Sequence, residues 1–141
     1  MDNTDIKKLA KFLEEANKHT YAADGKRAKP ARLKSRDLEF KKGNLIYHDT
    51  YFGSENFIGE EIIYKNKSPV WGANYFGFIT NKKFSAGRVY GFLKKALLQD
   101  YSNIIPVRGP KSFKEKDFEY KNEAKGRLEC FSGIEKILFK G

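Results

Sequence analysis

Cysteine is almost missing from this chain. The 141 residues contain one, Cys130, which cannot close an internal disulfide. That usage is compatible with a reducing cytosol. Histidine is nearly as scarce: His19 and His48 form no His/Cys/carboxylate spacing that resembles a metal motif, so no metal site is expected. No apolar run approaches the roughly 18 residues of a membrane span, and the N-terminus is too charged, its apolar segment too broken, for a signal peptide. A cytoplasmic protein with no membrane contact is the expectation. Also absent are a Gly-rich phosphate loop, a nucleophile elbow and a metalloprotease motif. Their absence weighs against the familiar enzyme classes, implies no cofactor and nominates no catalytic residue.

What the chain has in plenty is aromatic and basic side chains. Twelve Phe and eight Tyr, within an aromatic content of 15%, favour a half-buried pleated surface. The length suits one domain, 1–141, with one core. Lys plus Arg number 28 against 18 Asp plus Glu, a formal charge of +10. A field of that sign attracts anionic metabolites and polyanions. Most of the lysines are scattered, but Lys26, Arg27, Lys29, Arg32, Lys34 and Arg36 form a dense basic run.

The spacing of Ile6, Leu9, Ala10, Leu13 and Ala16 predicts an amphipathic helix over 4–16 with Thr4 as N-cap. Residues 17–36, polar and broken by Gly25 and Pro30, read as a long basic loop. From Asp37 the period changes to two. Strands follow around Leu38–Phe40, Leu45–Phe52, Phe57–Tyr64 and Pro69–Ile79, an antiparallel meander. Residues 87–99 predict a second helix despite Gly91, and Ile104–Pro110 an extended segment. A C-terminal hairpin is expected over 117–139, with Ser132-Gly133 as a bulge and Cys130 packed mid-strand. The fold class is therefore α+β, a sheet of about six strands packed with two helices.

The stretch GEEIIYKNKSPVWGANYFG, residues 59–77, is the most distinctive. A two-residue turn at Asn66-Lys67 sets Ile63 opposite Val70, Glu61 opposite Gly72 and Gly59 opposite Asn74. Glu60 and Glu61 then point to opposite faces and are no acid/base dyad. In that register Glu61 lies among glycines and Asn74, and Glu60 beside an aromatic wall of Trp71 and Tyr75. A slip of one residue exchanges the two neighbourhoods, so which glutamate faces a pocket stays open. Tyr47, Asp49 and Tyr51 lie on a neighbouring strand, where His48 and Asp49 point apart. Arg108, held in Arg-Gly-Pro, suits carboxylate or phosphate recognition.

The segments FLEEANKHTYAADG, DLEFKKGNLIYHDTYFG, FIGEEIIYKNKSPVWGANYFG, FLKKALL and RGP, in that order, resemble the family called domain of unknown function 5680. The resemblance runs from Phe12 to Phe139. Family members occur alone or following a helix-turn-helix region, which implies a sensor or effector-binding module. This sequence has no helix-turn-helix segment and is read as the standalone form. It ends at Phe139-Lys140-Gly141, where members usually continue into another strand.

The expected function is a non-catalytic module that binds a small anionic ligand, a nucleotide being the leading candidate, as sensor or sequestering protein. Tyr47, Asp49, Tyr51, Glu60, Glu61, Trp71, Asn74, Tyr75 and Arg108 are its ligand-binding residues, and a homo-oligomer is compatible. The alternative is weak nucleic-acid binding through the basic surface. Further down stands a hydrolase using Glu60 or Glu61 as base, which requires that glutamate to be buried near Tyr47, Asp49 or Arg108.

Overall fold

The apolar stripe at the N-terminus forms α1 (Asn3–His19), which buries Leu9, Phe12, Leu13 and Ala16. The computed structural model describes residues 3–22, 25–99 and 109–141. The helix begins before Thr4, which is therefore not its N-cap, and runs three residues beyond the predicted end. Past its last turn, the Thr20 N–H and hydroxyl both donate to the Ala16 carbonyl, at 3.0 and 2.8 Å. The loop expected over 17–36 is correspondingly shorter and contains a two-residue strand, β1 (Arg27–Ala28).

The change to period two builds β2 (Arg36–Lys42), β3 (Leu45–Gly53), β4 (Asn56–Lys65) and β5 (Ser68–Phe78). With β1 they form one antiparallel sheet in sequence order. Helix α2 (Ala86–Leu97) follows, its Arg88 N–H donating to the Ser85 side chain at the cap. A second sheet comprises β6 (Ser112–Glu115), β7 (Phe118–Arg127) and β8 (Cys130–Phe139), also antiparallel. The α+β class with two helices holds; the described residues form eight strands in two sheets where about six in one were expected. The strand β6 has a single large apolar residue, Phe113, too weak an alternation to read. No bulge forms at Ser132-Gly133, which pair in register with Lys125 and Ala124. Cys130 opens β8 and is exposed rather than packed. The predicted segment 104–110 lies outside the described residues except for Gly109 and Pro110.

The core has two parts, the first on one face of the five-stranded sheet, the inner face, and the second between α2 and the three-stranded sheet. Under α1, its buried side chains meet Tyr47, Ile63, Trp71 and Leu128. Under α2, Phe92, Leu93, Ala96 and Leu97 meet Ala22 and Tyr120. The Trp71 indole N–H donates to the Leu128 carbonyl (2.9 Å), and the ring stacks on Phe131. The turn of the β7–β8 hairpin is thereby fastened to the first part.

The opposite, outer face is pinned by Asp37, which is buried. Its carboxylate accepts from the Ser35 and Thr50 hydroxyls and the Ala31 N–H, and His48 Nε2 lies 2.7 Å away. Asp37 is the centre of this group. A nucleophilic Ser–His–Asp relay needs the histidine there, so the group is a clamp that fixes the 29–36 loop to the sheet. Burial alone would raise the carboxyl, but the bonds from Ser35, His48, Thr50 and Ala31 outweigh it and hold it at about 2, below the ordinary 3.8. The folded protein thus binds this proton less readily than the unfolded chain. The resulting stability is complete above about pH 4 and disappears as pH falls through about 2. Asp37→Asn is expected to cost roughly 2 kcal/mol at neutral pH and to flatten this acid limb. Urea unfolding midpoints measured from pH 7 to pH 2 check it.

Candidate functional site

Asn66 and Lys67 both have positive φ, 52° and 67°, and form the two-residue turn that joins β4 to β5. Lys65 pairs with Ser68 and Tyr64 with Pro69, but Ile63 then faces Trp71. Val70 is an extra residue. Proline supplies no N–H to a ladder and is accommodated at edges and bulges, and here it sits beside the bulge on an edge strand. Beyond it the register expected from the turn moves by one. Glu61 faces Ala73, Glu60 faces Asn74 and Gly59 faces Tyr75.

That shift sorts the nominated residues differently from the expectation. Tyr47, Asp49 and Tyr51 of β3, Glu61 of β4, and Trp71 and Tyr75 of β5 share the inner face. Glu60 and Asn74 are opposite each other on the outer face, where Glu60 pairs with Arg32 at 3.4 Å. Glu61 therefore has the aromatic neighbours assigned to Glu60, and Asn74 is not part of its surroundings. Trp71 is buried in the core and its N–H is used internally, so it is no stacking wall. Arg108 lies outside the described residues.

Asp49 and Glu61 are directly opposed across β3 and β4, Asp49 buried and Glu61 half-buried. Each accepts from a tyrosine: Tyr75 Oη lies 2.6 Å from Asp49 Oδ1, and Tyr47 Oη lies 2.7 Å from Glu61 Oε1. Tyr47 has one hydroxyl hydrogen, donated over that short contact, and the Asn17 amide at the end of α1 lies alongside at 3.3 Å. Tyr75 reaches Asp49 from two strands away, a separation of roughly 10 Å, by lying across β4 at Gly59. A Cβ at residue 59 would overlap its ring. On the other side, Phe57 touches both Tyr75 and Tyr90, at centroid distances of 6.2 and 5.9 Å. The polar group therefore forms a seam between the core under α1 and the core under α2.

Burial, then the charges of Glu61 and Asp49, push the Tyr47 phenol well above its usual range. It remains a donor at any ordinary pH. Paired carboxylates with tyrosine partners can receive N–H and O–H donors, and Glu61, half-buried rather than buried, is the glutamate that lies beside Tyr47 and Asp49. Among the described residues no group of three or more His, Cys, Asp or Glu has metal-holding geometry. Sequence reasoning did not nominate Asn17, Gly59 or Asp37. Asn17 closes a helix whose end was placed too early. Gly59 carried a signal, a glycine inside an apolar strand, which marks close approach by another group.

Gly59→Ala is expected to destabilise by about 1–3 kcal/mol as the Tyr75 ring is displaced. Gly87→Ala, where a Cβ meets nothing within 4 Å, is expected to be neutral or to stabilise by up to about 1 kcal/mol through helix propensity. Paired urea titrations decide between these outcomes.

A comparison with curated proteins finds no match. Nor does any solved structure match. A family model does match, over residues 49–141, from Asp49 of the carboxylate pair through β8. The chain belongs to the family described as domain of unknown function 5680 (DUF5680).

Proposed function

We propose that the chain is a non-catalytic module that binds a small molecule, as a sensor or sequestering protein, on the inner face at Asp49, Glu61, Tyr47 and Tyr75. The observation that carries this reading is the opposed pair Asp49–Glu61, each carboxylate oriented by its own tyrosine between two apolar clusters. Small-molecule sites are mostly apolar with a few placed polar groups. The polar atoms described here are carboxylate and phenol oxygens, so the part of the ligand that meets them bears N–H or O–H groups. An amine or guanidinium gains the most, through charge-assisted bonds.

A thermal-shift panel of amines, guanidines, nucleosides and polyols tests this. A true ligand at about a hundredfold over its Kd adds about 2.7 kcal/mol, or roughly 5–10 °C in Tm for a chain of this size. The shift is expected to vanish in Glu61→Gln and to shrink in Tyr75→Phe. No shift from any compound, or equal shifts in both variants, sinks the proposal.

A second reading, nucleic-acid binding, draws support from Lys26, Arg27, Lys29, Arg32, Lys34 and Arg36, all exposed on the segment fixed by Asp37. It predicts binding to duplex or single-stranded oligonucleotides that weakens steeply with salt, the log–log slope falling as these residues are neutralised. Undetectable binding at 50 mM salt rules it out.

A further inference from the structure

A cleft of about 340 Å³ lies between α2 and the β6–β7 turn, and it differs in every respect from the carboxylate seam. Its charged side chains are Arg88, Lys95, Lys116 and Glu115, three cations against one carboxylate, a net +2. Lys95 and Glu115 pair across the cleft at 2.7 Å. Arg88 and Lys116 have no carboxylate partner among the described residues. The Arg88 guanidinium is nonetheless held in place. Its central carbon lies 4.9, 5.2 and 5.9 Å from the ring centroids of Phe84, Phe118 and Phe139. Those rings pack on one another at 4.7–5.5 Å. Aromatic faces attract a cation without neutralising it, so Arg88 is an oriented, exposed charge of the type that binds phosphate.

The rest of the cleft is shaped for something flat. Gly87 and Gly91, one turn apart on α2, leave open space where side chains would stand. Together they form a shelf of bare helix backbone beside Arg88. Phe92 and Phe118, stacked with centroids 5.2 Å apart, supply an apolar floor. The shelf also begins at the first turn of α2, where outward N–H groups and the helix dipole favour an anion. Its sequence has no acidic residue in that turn to compete. A glycine in the helix interior, such as Gly91, forfeits stability, and among the described residues no atom lies within 4 Å of where its Cβ would stand.

We propose that this cleft binds a phosphate monoester of a planar aromatic group, of the nucleoside monophosphate class. The phosphate sits among Arg88, Lys116 and Lys95, and the planar body lies on the Gly87–Gly91 shelf at the edge of Phe118. The volume falls at the small end of the usual range for ligand pockets, which suits a mononucleotide and not a larger cofactor. The assignment is independent of the inner-face site.

Isothermal titration of the full chain with AMP, adenosine and inorganic phosphate tests it. AMP is expected to bind with sub-millimolar Kd, and adenosine and phosphate each at least tenfold more weakly. Arg88→Gln removes the charge, and Gly91→Leu fills the shelf while improving helix propensity. Each is expected to weaken AMP at least tenfold. Lys116→Gly removes a charge at a residue with φ +54°, where glycine is favoured, and is expected to weaken AMP severalfold without loss of fold. No AMP binding at millimolar concentration overturns the proposal. So does phosphate binding as tightly as AMP, or wild-type affinity in both Gly91→Leu and Lys116→Gly.

Discussion

Pro69 has no N–H to give to the β4–β5 ladder, and the extra residue that accompanies it, Val70, decides what the inner face contains. In the uninterrupted register Trp71 and Tyr75 would face away from Glu61. With the bulge, Trp71 enters the core beside Ile63, and Tyr75 is aimed over Gly59 at Asp49. The same displacement turns Asn74 to the outer face, opposite Glu60. One backbone irregularity therefore fixes the core on one side of the bulge and the polar seam on the other.

The seam also qualifies what the net charge means. A formal +10 describes the field far from the surface. At the inner face two carboxylates stand opposed, each beside a tyrosine, and the cleft beside α2 is lined by three cations and one carboxylate. The two proposed sites are therefore chemically different, and screening over about 8–10 Å at physiological salt limits the influence of one on the other.

Much of the architecture was legible because it rests on periodicity. The helical stripe from Ile6 to Ala16, the meander from Leu38 to Ile79 and the Asn66-Lys67 turn all follow from residue spacing, and all are present. The details of the site were less legible, for a physical reason. Strand alternation has period two, so one extra residue reverses every later assignment. Pro69 was the visible sign of that reversal. Asp37 and Arg88 were hidden differently: each acquires its role from groups distant in sequence, Thr50 and His48 for one, Phe118 and Phe139 for the other. The strand β6 was too short and too polar to announce itself, and its contribution, one wall of the basic cleft, went with it.

The C-terminal hairpin has a mechanical consequence. Its base contributes Phe118, Tyr120 and Ile137 to the core under α2, while Leu128 at its turn belongs to the core under α1 and is bonded to Trp71. From Tyr120 to Leu128 the chain spans roughly 27 Å at the rise of an extended strand. Along most of that length its residues are exposed on both faces. The hairpin is a tie-bar, anchored at both ends. Neither cluster can open without releasing one end of it, so the two parts of the core melt as one cooperative unit.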